Sequence, residues 1–454
     1  MKRAVRSLAA LLALVLACGT ASGTTIHVPS EAPTIQQGID AASAGDTVRV
    51  APDSYSGPLN RNLNFGGRNI VLESEDGAAW TSINCEGVAR GFVFNSGEDT
   101  TAVVRGMAVY YAAADTGAGA YCTNGSSPKF EQCTFMNCDA QERGGALCFD
   151  ASSPIVRGCY IRRNTAGGSE RQTGRGGGIS CLAGASPLIV DTEFRENEAL
   201  DSGGGLYSLH SSPKVVDCEF NDNVLGEYGQ GAGVAVHQSD GASFTECVFA
   251  GNGVPTCVGG GLHSSGSDFD ATECDFTSNT SGASGGMHLT AGSSANLSGC
   301  TFVGNVGEWN AAGGLECAMS SSAVVVNCTF VSSDNYHVWL NGTSPTLEYC
   351  ILAFSAAGLP VYCETGSETP HIHHCFVFGN DDGDTLCGGN HHDIEYIDPL
   401  LCDFPGGDVT LCSDSPCLPG VTWPEQVGAE VQGCGACESA VEDRTWGSIK
   451  AMFR

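Results

Sequence analysis

One set of candidate binding residues recurs in successive copies of a short pattern, Gly-Φ-x-Cys or Gly-Φ-x-Ser, in which Φ is apolar. Because side chains alternate along a strand, the x residue points outward between two inward-facing neighbours. Aromatic faces with hydrogen-bond acceptors beside them suit the stacking of sugar rings and the orientation of their hydroxyl groups. An exposed sheet of β-favouring residues without a ligand is the alternative interpretation. The predicted ligand-binding residues are Tyr207, His263, His288, Glu316, Trp339 and Tyr362.

A second set, made only of carboxylates, flanks the cysteine of another recurring pattern, Cys-x-Phe-x-x-Asn. Carboxylates that face one another on neighbouring strands repel, at a cost of about a few tenths of a kcal/mol per pair. A bound divalent cation would relieve that repulsion, and calcium is the natural candidate because it prefers oxygen ligands. A solvated acidic face is the alternative. The predicted metal ligands are Asp191, Glu193, Asp217, Glu219, Glu246, Glu273 and Asp275.

A third set consists of histidines near the end of the repeats. His371, His373 and His374 precede His391 and His392, which fall one repeat later. Alternate histidines on a strand share a face and could bind zinc or copper. Histidines scattered along a sheet edge, without a metal, are the alternative interpretation.

The Cys-x-Phe-x-x-Asn pattern also organises the elements that must position these side chains. Full or degenerate copies begin every 22–33 residues from Cys133 to the copy that ends at Asn380. A period of this size indicates a solenoid, in which each coil buries its apolar face only against its neighbours. The full copies begin at Cys218, Cys247, Cys274 and Cys300.

Each repeat predicts one coil of three short strands. The cysteine pattern and the glycine-rich pattern both alternate inward and outward residues, and a break in that alternation before the cysteine predicts a bend between two strands. The predicted fold class is all-β: a right-handed parallel β-helix (three-sheet solenoid) with a short N-terminal capping helix and an irregular, disulfide-containing C-terminal cap. The capping helix is predicted over residues 33–42, where Ile35, Ile39 and Ala42 share one face.

Equivalent residues of stacked coils are expected to form columns about 4.8 Å apart. We expect Phe220, Phe249, Phe276 and Phe302 to stack in one buried column. The asparagines are expected to adopt the left-handed conformation at a sharp turn and to hydrogen-bond the asparagine of the next coil. These columns hold the solenoid together and by themselves need no chemistry.

The repeat boundaries divide the chain of 454 residues into segments. One elongated domain is expected rather than the two or three globular domains that the length alone would allow. The predicted segments are a signal peptide at 1–23, an N-terminal cap with irregular coils at 24–125, regular repeats at 126–397, a C-terminal cap at 398–437 and a tail at 438–454.

Charge and the first segment indicate where the protein works. With 20 basic and 51 acidic side chains, the net charge is −31, which excludes nucleic acid as a partner. A basic start followed by an apolar run at 8–17 is typical of a secretory signal peptide, with a lipid anchor at Cys18 as the alternative. No other stretch could span a membrane. We therefore expect an exported monomer, outside the cell or on its surface.

The 24 cysteines of an exported protein would ordinarily indicate a disulfide framework. Cysteines on stacked parallel strands, however, project side by side with their Cβ atoms too far apart for a good bridge. Most cysteines of the repeats are therefore expected to be free and buried. The disulfide candidates are Cys387, Cys402, Cys412, Cys417, Cys434 and Cys437.

Two family resemblances follow from these motifs. The string beginning Ile35-Gln and ending Asp46-Thr-Val-Arg-Val, followed by Tyr55, resembles the opening of pectate-lyase-like and pectin-methylesterase-like β-helix proteins of the secreted bacterial type. The repeats of residues 119–380 resemble those of chlamydial polymorphic membrane proteins, which are β-helical adhesins. Of the catalytic strings of the related enzymes, only Asp381-Asp382 is present, inside a polar turn, so the resemblance carries over no catalytic residue.

The sequence thus predicts a secreted or cell-surface β-helix that binds carbohydrate through its outward row, as a binding or adhesion module. A polysaccharide-degrading enzyme (a lyase, glycoside hydrolase or esterase) on the same fold is the alternative, and a structural filament is the third possibility. A polysaccharide or cell-surface glycan is the expected partner, and calcium is the only cofactor that the residues suggest.

Overall fold

Short strands separated by single sharp bends wind the chain into a parallel β-solenoid, as predicted. The computed structural model describes residues 23–168 and 174–437. The predicted signal peptide, apart from Gly23, and the tail at 438–454 lie outside the described residues, as does Cys18. Each regular coil has four strand segments rather than three, because one side of the coil is split by a bend.

Sheet 1 contains the split side, and 27 of its strands belong to the described part of the chain. The first strands of the coils are Thr25–Val28, Thr47–Val50, Val71–Ser74, Val103–Arg105, Lys129–Glu131, Ile155–Arg157, Leu188–Val190, Lys214–Val216, Ala242–Thr245, Asp268–Thr272, Ser294–Ser298, Ser322–Val326 and Thr346–Glu348. The second strands are Asp53–Tyr55, Thr81–Asn84, Ala108–Tyr110, Thr134–Met136, Tyr160–Arg162, Glu193–Arg195, Glu219–Asn221, Val248–Ala250, Asp275–Thr277, Thr301–Val303, Thr329–Val331 and Ile351–Ala353. In the last two coils both strands merge, as His371–Phe378 and Asn390–Glu395.

The other sides of the coils form sheet 2, with long ladders, and the short sheets 3 and 4. Sheet 2 comprises Leu63–Asn64, Phe92–Phe94, Ala120–Cys122, Leu147–Asp150, Ile179–Leu182, Leu206–Leu209, Val234–His237, Leu262–Ser265, Met287–Thr290, Ala312–Ala318, Tyr336–Asn341 and Val361–Cys363. Sheet 3 comprises Ala113–Thr116, Asp139–Arg143, Thr165–Ala166, Glu198–Ala199 and Val224–Leu225; sheet 4 comprises Gly253–Val254, Thr280–Ser281 and Val306–Gly307.

The bend in sheet 1 falls on the residue that immediately precedes each pattern cysteine. Asp217, for example, has φ +52° between the strands Lys214–Val216 and Glu219–Asn221. One left-handed residue reverses the alternation of side chains, which is the break that the sequence showed. As a result Val215 and Cys218 both face the core, although they are three residues apart.

The predicted phenylalanine column is confirmed and is longer than expected. Neighbouring rings lie 4.5–5.0 Å apart and within 9° of parallel. All of them are fully buried. The stacked rings are Phe194, Phe220, Phe249, Phe276, Phe302 and Phe330.

The asparagine column is also confirmed in its hydrogen bonds, but its backbone differs from the prediction. The side-chain amide of Asn252 donates to Asn279 Oδ1 at 3.0 Å and to the backbone carbonyl of Phe220 in the preceding coil at 2.7 Å. The left-handed conformation belongs to the residue before each asparagine, such as Asp222 with φ +56° before Asn223. The asparagine itself must face the core to meet its neighbours, so the bend is taken one residue earlier.

A short helix closes the first coil, as predicted, although it starts later than residue 33. It spans Ile35–Ala41, and Thr34 caps its first turn by accepting a hydrogen bond from the backbone amide of Gln37. Ile35 and Ile39, on the side of the helix that faces the core, are fully buried. The only other helical segments in the described chain are the 3-10 turns Pro58–Asn60 and Phe404–Gly406.

The C-terminal segment folds back along the outside of sheet 1. Its antiparallel strands Leu401–Asp403 and Asp408–Leu411 flank Phe404, whose ring stacks on Phe354 at 4.1 Å. Thr329, which lies three coils before the last one, accepts a hydrogen bond from the backbone amide of Ala429 in the C-terminal segment. The cap therefore covers outward-facing apolar residues of several coils, and a second hydrophobic cluster lies outside the solenoid.

Cysteine pairing follows the predicted division with one exchange. Within the described residues three disulfides join Cys363 to Cys387, Cys402 to Cys434 and Cys412 to Cys437, and 17 cysteines are free and buried. The prediction was wrong for Cys417, which is buried without a disulfide, and it missed Cys363 at the end of sheet 2. A parallel bridge between Val361 and Leu386 brings Cys363 beside Cys387 of the next coil, which the sequence spacing did not reveal.

Candidate functional site

The predicted row of binding residues is formed by sheet 2 in the predicted register. Successive Cα partners join Tyr207 to Ala235, then to His263, His288 and Glu316, and finally to Trp339 and Tyr362. Apart from Cys363, which is partly buried, the inward neighbours of the row are fully buried in the core, so the row does point away from it. Whether the row binds a ligand stays a prediction.

The row differs from the expectation in its exposure. Tyr207 and His263 are 1% exposed, and His288 and Glu316 are 8% and 7% exposed. At His263 the cause is a sharp turn before the strand Leu262–Ser265, which folds the preceding backbone against the row. At Gly259, with φ +70°, a Cβ atom would lie 2.9 Å from the Cβ of His263, so only glycine fits this wall.

At the N-terminal end of the row, Tyr207 is covered by an ion pair. The Arg175 guanidinium lies 5.4 Å above the Tyr207 ring, donates to its hydroxyl at 3.3 Å and binds Asp201 at 2.7 Å. Burial raises the pKa of the Tyr207 phenol. This end of the row is a closed, packed structure and offers little surface to a ligand.

A chain of three imidazole rings and one carboxylate begins at His237, beside the row, and continues through the middle of the row. His237 contacts the His263 ring edge-on at 5.3 Å, and the His263 and His288 rings stack with their Nδ1 atoms 3.1 Å apart. His288 Nε2 lies 3.4 Å from Glu316 Oε1. If the carboxylate holds a proton on His288 Nε2, then His288 Nδ1 accepts from His263 Nδ1–H, and His263 Nε2 becomes a bare acceptor.

Burial lowers the pKa of His237 to about 4 and holds the pKa of His263 well below its ordinary value. Both imidazoles are therefore neutral at pH 7 in the folded protein, whereas in the unfolded chain they titrate near about 6.5. Because the folded-state pKa values are lower, the unfolded chain binds protons first as the solution is acidified. Stability linked to these rings is present above about pH 6.5 and is lost as the pH falls toward 4.

We expect acidification from about pH 7 to pH 5 to remove on the order of 2 kcal/mol of stability for each of these two histidines. Thermal unfolding at the two pH values measures this loss. The double variant His237→Gln, His263→Gln should show a smaller pH dependence than the wild type, while His210→Gln, at an exposed position, should not differ. Equal pH dependence in all three proteins would contradict the assignment.

The C-terminal end of the row opens into an aromatic corner, formed by Tyr336, Trp339 and Tyr362. The two tyrosine rings stack at 4.5 Å, and Trp339 meets Tyr362 edge-on at 6.3 Å. All three are half-buried, and Glu316 is the Cα partner of Trp339. Burial first, with smaller contributions from Tyr362 and from nearby carboxylates, raises the pKa of the Tyr336 phenol. The corner thus combines apolar ring faces with an acidic surround.

Several polar atoms along this part of sheet 2 have no hydrogen-bond partner within the part of the chain that the structure describes. A buried donor or acceptor left unpaired costs about 1–3 kcal/mol, so natural proteins rarely retain several in one place. A ligand that entered the corner with hydroxyl groups could satisfy those nearest to it. The unpaired buried atoms are His237 Nε2, His263 Nε2, Glu316 Oε2 and Trp339 Nε1.

The predicted acidic row is divided between the bend and the second strand of sheet 1. Asp191, Asp217, Glu246 and Glu273 all occupy the left-handed bend position, and Glu246 is exposed. Glu193 faces Glu219 in register on the second strand. A surface groove of about 380 Å³ brings together four of the predicted ligands: Asp191, Glu193, Asp217 and Glu219.

The other end of the acidic row meets the C-terminal segment. Glu273 and Asp275 line a second groove, of about 540 Å³, together with Glu430. Burial, followed by the charges of Asp275 and Asp408, raises the pKa of Glu430. Thr301 donates a hydrogen bond to Asp275. Within the described residues no three carboxylates of the row converge closely enough to share one ion, and calcium binding by this row stays a prediction.

Sequence reasoning missed four residues that shape the site. Arg175 and Asp201 lie in the loops before sheet 2, which carry no repeated pattern, and Tyr336 lies at the start of an irregular coil. His237 is the second outward residue of its strand, two positions after Ala235. That spacing could have been recognised from the sequence, because alternate residues of one strand share a face.

Comparison with known proteins identifies the architecture. The family model of the right handed beta helix region matches residues 70–276, 211–308 and 272–395, which together cover more than half of the chain. No protein of curated function matches the sequence. Among the described residues, the helices are all too short or too polar to cross a membrane.

Solved structures with similar folds share little sequence with this chain. A pectate lyase is 10% identical, with a TM-score of 0.39, over 88% of this chain and 91% of its own. An alginate lyase is 10% identical, with a TM-score of 0.48, over 84% of this chain and 54% of its own. The A-module of a mannuronan C-5 epimerase from Azotobacter vinelandii is 12% identical, with a TM-score of 0.36, over 77% of this chain and 89% of its own.

Proposed function

Because this chain belongs to the right-handed β-helix family, we propose that it is an exported carbohydrate-binding module whose ligand site is the aromatic corner on sheet 2. The supporting observation is the corner itself, where half-buried rings lie beside the unpaired carboxylate oxygen of Glu316 and the unpaired indole nitrogen of Trp339. Apolar ring faces stack on the C–H face of a sugar. The two polar atoms are buried in the free protein, so they would bond its hydroxyl groups after the side chains of Glu316 and Trp339 turn toward the ligand.

The charge around the corner selects among carbohydrates. After burial and the charge of Tyr362, Asp382 and Glu364 also raise the pKa of the Tyr336 phenol, and Glu316 is the strand partner of Trp339. In a protein of net charge −31 this surround repels a polyuronate. The proposed ligand is therefore a neutral polysaccharide or cell-surface glycan. The six predicted residues would contribute unequally, because Tyr207 and His263 are too deeply buried to touch it.

The proposed location, outside the cell or on its surface, is supported by the disulfides of the C-terminal region, since such bonds persist in oxidising compartments. A binding or adhesive role fits a protein that presents one open corner on a long solenoid. The backbone that carries the proposed contacts is paired to strands of the neighbouring coils, so little backbone entropy is lost when the sugar binds.

We expect Trp339→Ala to weaken glycan binding about 30-fold or more, which corresponds to about 2 kcal/mol. A glycan array selects the ligand, and calorimetry then measures its affinity for the wild type and the variant. Trp80→Ala is the matched control, because Trp80 is 68% exposed in the early coils, far along the chain from the corner. Binding to no glycan, or equal affinities of the two variants, would refute the proposal.

An enzyme that degrades polysaccharide is the second candidate, and the stacked pair His263 and His288 with Glu316 favours it. A histidine held by a carboxylate is a common general base. Incubating the glycans selected on the array with the protein, and measuring new reducing ends or unsaturated products, separates the two functions. Product formation that is lost in Glu316→Gln would favour the enzyme, whereas binding without product supports the module.

A further inference from the structure

A second site lies on the outer face of sheet 1, near the end of the solenoid. His373 ends the first half of the strand His371–Phe378, and His374 occupies the bend, with φ +55°. The left-handed bend turns the side chain of His374 to the same side as that of its neighbour. Glu348, on the preceding coil, is the Cα partner of His373. Three metal-ligating side chains therefore meet where strand alternation alone would separate two of them.

The distances among these three side chains fit a tetrahedral transition-metal site. The Nδ1 atoms of His373 and His374 lie 3.2 Å apart, and Glu348 Oε1 lies 3.6 Å from His373 Nδ1. All three ligand atoms are within 4.8 Å of one another. Zinc bonds of about 2.0–2.2 Å place tetrahedral ligands about 3.3–3.6 Å apart, so the ligand atoms need only small movements to bind one ion.

The surroundings hold one of the imidazoles in the orientation that a metal needs. His374 Nε2 lies 3.5 Å from Asp393 Oδ2. The carboxylate would accept a hydrogen bond from Nε2–H, which leaves Nδ1 unprotonated and free to bind the ion. Tyr349 stacks on the His374 ring at 4.9 Å, and Trp423 from the C-terminal segment contacts its edge at 5.4 Å. A carboxylate behind a ligating histidine is the usual outer support of zinc sites.

The cluster is also open to solvent. The side chains of His373 and His374 are each 29% exposed, and that of Glu348 is 33% exposed. We propose that Glu348, His373 and His374 bind one Zn²⁺ ion, with Asp393 orienting His374 and with the fourth coordination position open to water or a ligand. Two imidazole nitrogens and one carboxylate oxygen are a donor set suited to zinc, whereas calcium takes oxygen ligands.

The other histidines that the sequence grouped with this pair take no part. His371 hydrogen-bonds Asn390, His391 lies 2.8 Å from the carbonyl oxygen of Cys387, and His392 contacts Asn390. Alternation had paired His371 with His373, but the bend pairs His373 with His374 instead. His371 therefore serves as a matched control on the same strand.

The experiment measures zinc in the full-length oxidised protein after equilibrium dialysis against micromolar zinc, with circular dichroism to confirm folding. The wild type should retain one zinc ion per chain. The double variant that combines His373→Ala with His374→Ala should retain none, and His371→Ala should retain as much zinc as the wild type. Asp393→Asn should keep the site but weaken it about 10-fold or more, as removal of such outer support does.

A cluster of three cysteines could confuse this result, because Cys402, Cys412 and Cys434 also lie close together. All three are in disulfides, and zinc bound there would persist in the histidine double variant. Zinc retained by that variant, or no zinc on the wild type, would overturn the proposal. Glycan binding is measured separately and does not decide it, since the two sites lie on different sheets.

Discussion

Replacement of Asn252 by alanine should lower the free energy of unfolding by about 4–6 kcal/mol, because several buried hydrogen bonds are lost at about 1–3 kcal/mol each. The Asn252 amide donates to Asn279 Oδ1 and to the Phe220 carbonyl oxygen. Its oxygen accepts from both the backbone and the side-chain amides of Asn223. Alanine leaves the buried backbone amide of Asn223 without its acceptor. Asn279 Oδ1 keeps the backbone amide of position 252, and the Asn223 side chain keeps the Phe194 carbonyl oxygen, so each of these loses only part of its hydrogen bonding.

Chemical denaturation measures this loss, and Asn296→Ala is the matched control. The same substitution is made there on the outside of the strand Ser294–Ser298, where the side-chain amide of Asn296 donates a hydrogen bond to Asp270 at the surface. Asn252→Ser should be milder than alanine, because Ser355 occupies the equivalent buried position of a later coil. If Asn252→Ala and Asn296→Ala destabilise the protein equally, the asparagine column does not support the coils.

Phe249→Ala is expected to cost about 3–5 kcal/mol, as is usual when a large buried ring is removed and the cavity remains. Phe249 stacks between Phe220 at 5.0 Å and Phe276 at 4.5 Å and has no exposed surface. The rings above and below are held by their own strands, so they cannot move together to fill the space. Denaturation of the variant, with hydrogen exchange of the neighbouring coils, measures both the size and the spread of the effect.

Two further variants make the prediction specific to the stacked ring. Phe249→Leu should cost less than alanine, since Leu352 stands in the same column in the coil directly after Phe330, the last stacked ring. Tyr160→Ala removes a ring of similar size from an exposed position on sheet 1 and should change stability little. A loss below about 1 kcal/mol for Phe249→Ala would contradict the buried column.

The inward half of this structure could be predicted from the sequence because it repeats. Most regular coils place Phe and Asn at the same points, so the period determines which side chains stack, and both columns are present as predicted. The bend before Cys218 was also predicted, from the break in alternation. The left-handed residue of that bend is Asp217. At the next bend, after the strand Glu219–Asn221, the left-handed residue is Asp222 rather than the predicted Asn223, because the asparagine side chain must face the core.

For the outward-facing side chains, the sequence predicted which residues are neighbours in the sheet but not how exposed they are. Strand alternation places Tyr207, His263 and Glu316 in one row, but exposure depends on loops that differ in every coil and carry no pattern. The turn at Gly259 narrows the site, and Arg175 covers one end of it. Similarly, the convergence of His373 and His374 depends on a single backbone angle, which overrides the alternation on which the sequence analysis relied.

The cysteines that remain free set a condition on how the chain acquires its native disulfides. Before the coils wind, 17 thiols of the described residues are open to oxidants and can exchange with the cysteines of the C-terminal segment. Winding buries Cys122 and Cys181 and raises the pKa of each thiol well above its ordinary value, which removes the thiolate that exchange requires. In an oxidising compartment the yield of native protein therefore depends on the rate at which the coils fold relative to the rate at which their cysteines form non-native disulfides.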